Sequence, residues 1–404
     1  MDYELLPKLF YKDRVKYMTE IHHRKSSPAT TLLNFEIHSD QAFYMSVSEL
    51  LMLQNNIYQT YMRFKKVFDA LPEVAQDCYC RKCLVDEIVL TNDLEGVHST
   101  RRDVLDVLQS EKIFDKSVRF AGLIKKYVLL TENIEHMSIP LSTLKDIRAL
   151  YDDIVLPEIE SEDIPDGTYF RKDSVSVLSM TEKVKHRGIL GEENINEHMR
   201  QALTILNDPI HPPLVQIAMF HYMIGYIHPF YDGNGRLSRF ISSYLLSKIF
   251  HPIVAYRLSY TIKQYKSSYY DAFDYVNDRN SYGDLTPFII IFSELVHKSI
   301  LSLEEKVNDV SSQMNYFWNM LQCISNDEIK TFIFYFVQNS LFSPDPFTIK
   351  ELAGISSKSE PTIRRMIEKL YQSGIPIQIS RRGHAKEYRI DLDLLPAALR
   401  NANL

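Results

Sequence analysis

The sequence predicts a mainly α-helical protein, with one small β-hairpin in its middle and a helix-turn-helix plus a second hairpin at its end. Three observations predict this. Glycine is scarce, 12 of 404 residues, which fits long helices. Apolar residues recur at three- and four-residue spacing through SVSELLMLQNNIYQTYMRFKKVF (46–68). The period shortens at GTYFRKDSVSVLS (167–179) and IPIQISRRGHAKEYRI (375–390), where extended pieces are expected.

The elements follow in order. Residues 1–45 are mixed, and the Ser, Thr and Pro of HHRKSSPATT (22–31) suggest turns rather than a helix. Residues 46–140 read as helices. In the middle unit, 141–300, helical stretches bracket a hairpin suggested by Tyr169, Val175 and Val177. The last stretch differs. TIKELAGISSKSEPTIRRMIEKLYQSG (348–374) reads as helix, turn, helix, with Ser359 as N-cap and Gly374 as stop. Two strands around a turn at Gly383 complete a winged-helix pattern.

Composition bounds the function. A hydrophobic content of 45% supports a sizeable core, rich in aromatics with 25 Tyr and 21 Phe. A net charge of -6 argues against general nucleic-acid binding, although one segment can still be basic. No run approaches the ~18 consecutive apolar residues that span a bilayer. The start, MDYELLPKLFYKDRVKYMTE, has no apolar h-region, so the sequence predicts a cytoplasmic protein without a membrane partner. Cys78, Cys80 and Cys83 cluster without a further ligand pair at zinc spacing, so structural or reactive thiols are expected. No repeats, Walker A or HExxH pattern occur.

Residues 228–239, HPFYDGNGRLSR, carry the chemistry. Apolar helix precedes them (LVQIAMFHYMIGYI). Apolar helix also follows, with Leu237, Phe240, Ile241, Tyr244 and Leu245 on one face. The loop therefore sits at a helix N-terminus, where unpaired N–H groups favour an anion. Gly233 and Gly235 let the backbone approach it, and Asn234 can donate from its amide. Arg236 and Arg239 share a helix face and suit further phosphates. Asp232 offers a hard oxygen for Mg²⁺, and His228 an imidazole that takes a proton near neutral pH.

This segment resembles the signature of the Fic family, His-x-Phe-x-Asp/Glu-Gly-Asn-Gly-Arg-x-x-Arg, at every fixed position. GTYFRKDSVSV is similar to that family's target-docking flap. SSYYDAFDYVNDRNSYGDLTPFI (267–289) is similar to the region that closes over the nucleoside. Together the resemblance runs from about 85 to 300. It implies a Fic-type helical core that moves AMP from ATP to a Ser, Thr or Tyr hydroxyl of a protein target, which can include the chain itself. It implies His228 as general base and Asp232 as ligand of Mg²⁺. Gly233, Asn234 and Gly235 would form an anion hole. Arg236 and Arg239 would bind the outer phosphates. Tyr269 and Asn277 would contact the nucleoside, and Ser176 and Val177 would lie along the nucleotide and target chain. Relatives that act as kinases depart from Gly-Asn-Gly at the second glycine; Gly235 is kept here.

TNDLEG (91–96) resembles the family's inhibitory motif, Ser/Thr-x-x-x-Glu-Gly/Asn. The resemblance implies that Glu95 pairs with Arg239, in a bidentate geometry that the γ-phosphate would otherwise use. In some relatives the same glutamate serves removal of AMP, and relatives often dimerise through the Fic unit. The domains expected are 1–110, a helical region with the inhibitory motif; 111–300, the Fic domain; and 301–404, the winged helix. Within 358–389, eight Lys and Arg face three Glu, a net of +5. That suits DNA, although such modules also bind proteins. Three functions stay open: an AMP transferase, a de-AMPylase, and a nucleotide-sensing DNA-binding regulator.

Overall fold

The computed structural model describes residues 3–108, 119–132, 138–178, 184–382 and 385–401. The expected boundary at 110/111, Ser179 of the flap stretch and the turn at Gly383 lie outside the described residues. Helices α1 (Leu6–Lys12) and α2 (Arg14–Ser26) precede a hairpin of β1 (Thr30–Ile37) and β2 (Asp40–Met45). Then come α3 (Ser48–Asp69), α4 (Glu73–Leu94), α5 (Arg101–Leu108), α6 (Ala121–Glu132) and α7 (Leu144–Ile154). A second hairpin, β3 (Ser176–Leu178) and β4 (Val184–Arg187), leads to α8 (Glu192–Asn207), α9 (Pro213–Ile227) and α10 (Asn234–Ser247). Helices α11 (Pro252–Ala255), α12 (Leu258–Gln264), α13 (Lys266–Asn277), α14 (Thr286–Leu321) and α15 (Asp327–Phe342) follow. Last are β5 (Phe347–Thr348), α16 (Ile349–Ser356), α17 (Glu360–Gln372), β6 (Ile377–Arg382), β7 (Ala385–Ile390) and α18 (Leu395–Asn401).

The chain forms two compact units. One is Met1–Tyr61 with Leu84–Ile300; the other is Met62–Cys83 with Leu301–Leu404. In the first, α9 and α10 are the central pair. Almost every residue of α9 is buried, as its continuous apolar run demands. Helix α10 is buried on all sides, not on one stripe as its apolar spacing suggests. Ser238, Ser242, Ser243 and Ser247 are small enough to fill its other faces and donate to carbonyls or bond side chains there. Phe230, in the loop between them, stacks on Tyr151 of α7 at 3.6 Å between centroids.

The turns expected in HHRKSSPATT begin late. Helix α2 runs through Ser26, because Arg24 is buried and held by Glu20 at 2.7 Å and Asp284 at 3.0 Å. Those ion pairs outweigh the weak helix preference of the local sequence. Helix α14 is long and apolar enough, by length and composition, to cross a membrane. Of its apolar window, 72% is buried inside the protein, as in a core helix.

In the second unit, Thr348 caps α16 through a capping box with Glu351. Ser357 turns the chain in the left-handed region, Ser359 stands at the N-cap of α17, and Gly374, at φ 81°, stops it. Strands run in the order β5-β7-β6, all antiparallel. Cys78 and Cys83 are buried, and burial pushes the Cys78 thiol up to about 12, so it is structural rather than reactive.

Candidate active site

The site is built on the loop from His228 to Gly233. His228 ends α9 in the left-handed region, at φ 52°, with its N–H still bonded to the Ile224 carbonyl at 2.9 Å. Such a conformation is strained for a non-glycine residue and has to be held by its surroundings. Arg171 holds it. Its guanidinium is fully buried and donates to the carbonyls of His228 (2.8 Å), Ile189 (2.8 Å), Ile227 (3.4 Å) and Asp173. Its main-chain N–H adds the Pro229 carbonyl at 3.1 Å. The His186 ring bonds the Tyr226 carbonyl at 2.7 Å, and the Ile189 N–H the Ile227 carbonyl at 3.0 Å. The orphan carbonyls at the end of α9 are thus satisfied by the base of the β3–β4 hairpin. Gly188 makes room for this: a Cβ there would overlap the Arg171 guanidinium and come within 2.9 Å of His228 Cβ. Neither Arg171 nor His186 stands out in the sequence, because their partners lie far along the chain.

At the other end of the loop, Gly233 is the N-cap of α10 at φ 78°. A Cβ there would overlap Val155. No side chain caps the first amides, and no acid lies in the first turn. Asn234 does not point at an anion site through its amide, as the sequence suggested. Its Oδ1 accepts from the Phe230 N–H (3.0 Å) and its Nδ2 donates to the Phe230 carbonyl (2.8 Å). The side chain closes the loop on itself, which leaves the main-chain amides for a ligand.

Both arginines are buried, at 1% and 2% exposure, so neither lies on a solvated face. Arg236 reaches Asp232 at 3.2 Å and Glu158 at 3.4 Å. Arg239 donates to Thr91 Oγ1 and the Thr91 carbonyl, each at 2.8 Å, and to Glu95 Oε1 at 2.9 Å. Glu95 follows directly on α4, and its carboxylate lies against Gly235, where a Cβ would overlap it. An acid from just beyond α4 therefore sits at the uncapped start of α10, a position that favours an anion.

Burial sets the ionisation. It pulls the His228 imidazole down to about 4, with the Arg171 charge acting in the same direction, so the ring is neutral at pH 7. Burial pushes Glu158 up to about 7, against the pull of Arg236. Glu87, fully buried on α4, is pushed up to about 7, although Ser259 and Tyr127 donate to it.

The remaining candidates divide. Tyr269 is brought beside Arg239, whose charge acts on its phenol, while its hydroxyl bonds His221 at 2.7 Å. Asn277 closes α13, and its Oδ1 accepts from Tyr222 of α9 at 2.7 Å. That amide oxygen is spent in the core. Ser176 and Val177 lie on β3, opposite Arg187 and His186.

Residues 140–246 match the Fic/DOC family. The chain is 34% identical over 88 residues to the protein adenylyltransferases Fic of Aedes aegypti and of Culex quinquefasciatus, a distant relationship. That stretch is 22% of this chain and 16% of either relative, so the chain matches about a sixth of their length. A Fic family protein from Desulfovibrio desulfuricans shares the fold, with a TM-score of 0.52 at 18% identity over 86% of this chain and 98% of that one. The residues that match the Fic/DOC family span α7 to α10, and so contain His228, the loop, both arginines and the β3–β4 hairpin.

Proposed function

We propose that the Fic domain transfers AMP from ATP to a protein hydroxyl, and that Glu95 restrains it. One observation carries the reading. A neutral imidazole and an uncapped helix start stand at the two ends of a single short loop. The imidazole can accept the target's proton, and the amides can hold the phosphate it attacks.

The hydroxyl oxygen bonds to the α-phosphorus as the bond from that phosphorus to the bridging oxygen breaks. Pyrophosphate leaves, and the hydroxyl proton passes to the His228 ring. His228 is already deprotonated at neutral pH, and Arg171 fixes its main chain. Asn234, Gly235 and Arg236 present main-chain N–H groups to the phosphates, and the α10 dipole favours the charge that grows there. Arg236 and Arg239 neutralise the outer phosphates, once Glu95 gives way.

Asp232 suits Mg²⁺. Its carboxylate is 46% exposed at the loop, and one or two protein carboxylates plus phosphate oxygens is the usual donor set for that ion. Mg²⁺ held there would offset the charge of the departing pyrophosphate.

Restraint follows from the same geometry. While Glu95 occupies Arg239, a γ-phosphate meets a carboxylate where it needs a cation. The C-terminal helices and hairpin read as a winged helix, supported by the α16-turn-α17 order and the antiparallel β5-β7-β6 sheet.

The test is labelling of the purified chain and candidate targets with α-labelled ATP. His228→Ala should abolish labelling, and Glu95→Gly should raise it. Unchanged labelling in His228→Ala ends the reading.

A further inference from the structure

We propose that the second unit binds duplex DNA, gripping the phosphate backbone with α17 and the β6–β7 hairpin. This surface lies outside the Fic domain. Eight Lys and Arg against three Glu give residues 358–389 a net of +5 inside a chain of -6. The structure sorts these charges. Arg389 is structural, donating to the carbonyls of Pro344 and Ser340 at 3.0 Å each. Lys358 pairs with Glu328, and Glu387 is buried, accepting from Ser380 at 3.3 Å. Arg364 reaches Glu360 only at 3.5 Å, in a pair that is mostly exposed. Arg365, Lys369, Arg381 and Lys386 are exposed, and no ion pair to them is found among the described residues.

Placement matters more than number. Helix α17 buries Ile363, Ile367 and Leu370, so Arg364, Arg365 and Lys369 face away from the core. In the hairpin, Arg381 pairs directly with Lys386 across the strands. Like charges directly opposite weaken a sheet, so the fold gains nothing from this pair. An anion laid across the hairpin would remove the penalty. Residues that break a local rule without a structural return tend to serve function.

Duplex DNA fits this array best. The second helix of a helix-turn-helix enters the major groove with its outward side chains, and a neighbouring element can meet the adjoining backbone. The major groove of an A-form RNA duplex is too deep and narrow for a helix. An acidic peptide presents single carboxylates, whereas cations on a helix and a hairpin ask for an extended row of charge.

The experiment titrates the full-length chain against a fluorescein-labelled mixed-sequence duplex of about 20 base pairs, by anisotropy in rising KCl. With about five phosphate contacts, affinity should fall several hundred-fold between about 50 and 200 mM salt. Arg364→Ala with Arg365→Ala should weaken binding at least about tenfold and make the salt slope shallower by about two contacts. Arg381→Glu sets opposite charges across the hairpin. It should keep or raise the thermal midpoint while weakening DNA at least about tenfold, which a structural role for Arg381 would not produce. The proposal is overturned if no binding appears at about 50 mM salt, or if these variants bind as the parent does. It is equally overturned if an RNA duplex binds more tightly, or if polyglutamate competes as well as unlabelled DNA.

Discussion

Glu95 and Arg239 meet at 2.9 Å beside Gly235, and the glycine is what lets them meet. A Cβ at residue 235 would overlap the Glu95 carboxylate. Gly235 is not in the left-handed region, so its backbone tolerates alanine. The close approach, not the turn, requires glycine there.

That relationship predicts a change of sign. Gly235→Ala in the parent chain should destabilise by about 1–3 kcal/mol, as overpacking does. In a Glu95→Gly background the three nearest atoms are gone and helix propensity favours alanine, so the same change should lose its penalty and stabilise by up to about 1 kcal/mol. Urea unfolding of the four proteins measures the coupling. Additive effects would mean that Glu95 does not sit against Gly235.

The second prediction concerns acid tolerance, measured in Glu95→Gly so that restraint does not mask the chemistry. A general base works deprotonated. An ordinary imidazole, at its usual value near 6.5, would lose about fourfold in rate between pH 8 and pH 6. His228, pulled down to about 4 chiefly by burial, stays deprotonated across that window. The pH profile of kcat/KM should therefore change less than about twofold there. A limb centred near 6.5 would contradict a ring desolvated within the loop and acted on by the Arg171 charge.

Arg171 offers the third. It is fully buried and acts through main-chain carbonyls at the start of the loop and the base of the hairpin. Arg171→Lys keeps a charge but cannot serve those directions at once. AMP transfer should fall by about 10²-fold through misplacement of His228, with the KM for ATP little changed. Arg171→Met also removes the charge that lowers the ring, so it should move the acid limb to higher pH than in Arg171→Lys. Equal limbs in the two variants would make Arg171 a packing residue alone.

The loop from His228 to Gly233 could be read from the sequence because its shape is decided locally. Gly233 supplies the left-handed N-cap, Asn234 closes back four residues onto Phe230, and apolar helices flank both. Its supports were hidden. Arg171 bonds carbonyls 57 residues away, and pattern reading along the chain cannot see such a partner. The burial of Arg236 and Arg239 was hidden too, since arginines spaced three apart usually face water. The helix through His22–Ser26 depends on Asp284, a partner on the far side of the chain. Long-range pairing decided each point that spacing missed.

The fourth prediction concerns the stability of α4. Glu87 lies on the same side of α4 as Thr91, four residues before it. It is fully buried and pushed up to about 7. A carboxyl raised in the folded state binds its proton more tightly there than in the unfolded chain. The stability it contributes is complete below about 4.5 and is lost as pH rises through about 7. The loss amounts to about 3 kcal/mol. Glu87→Gln cannot ionise, so it should flatten the fall in the thermal midpoint between pH 5 and pH 8. His221, pulled down to about 3 by burial, has the opposite sign, with stability lost as pH falls below about 6.5. The Glu87→Gln change should therefore leave the acid side of the profile untouched while removing most of its neutral slope. A parallel shift at every pH would show that Glu87 acts by hydrogen bonding to Ser259 and Tyr127, not by its charge.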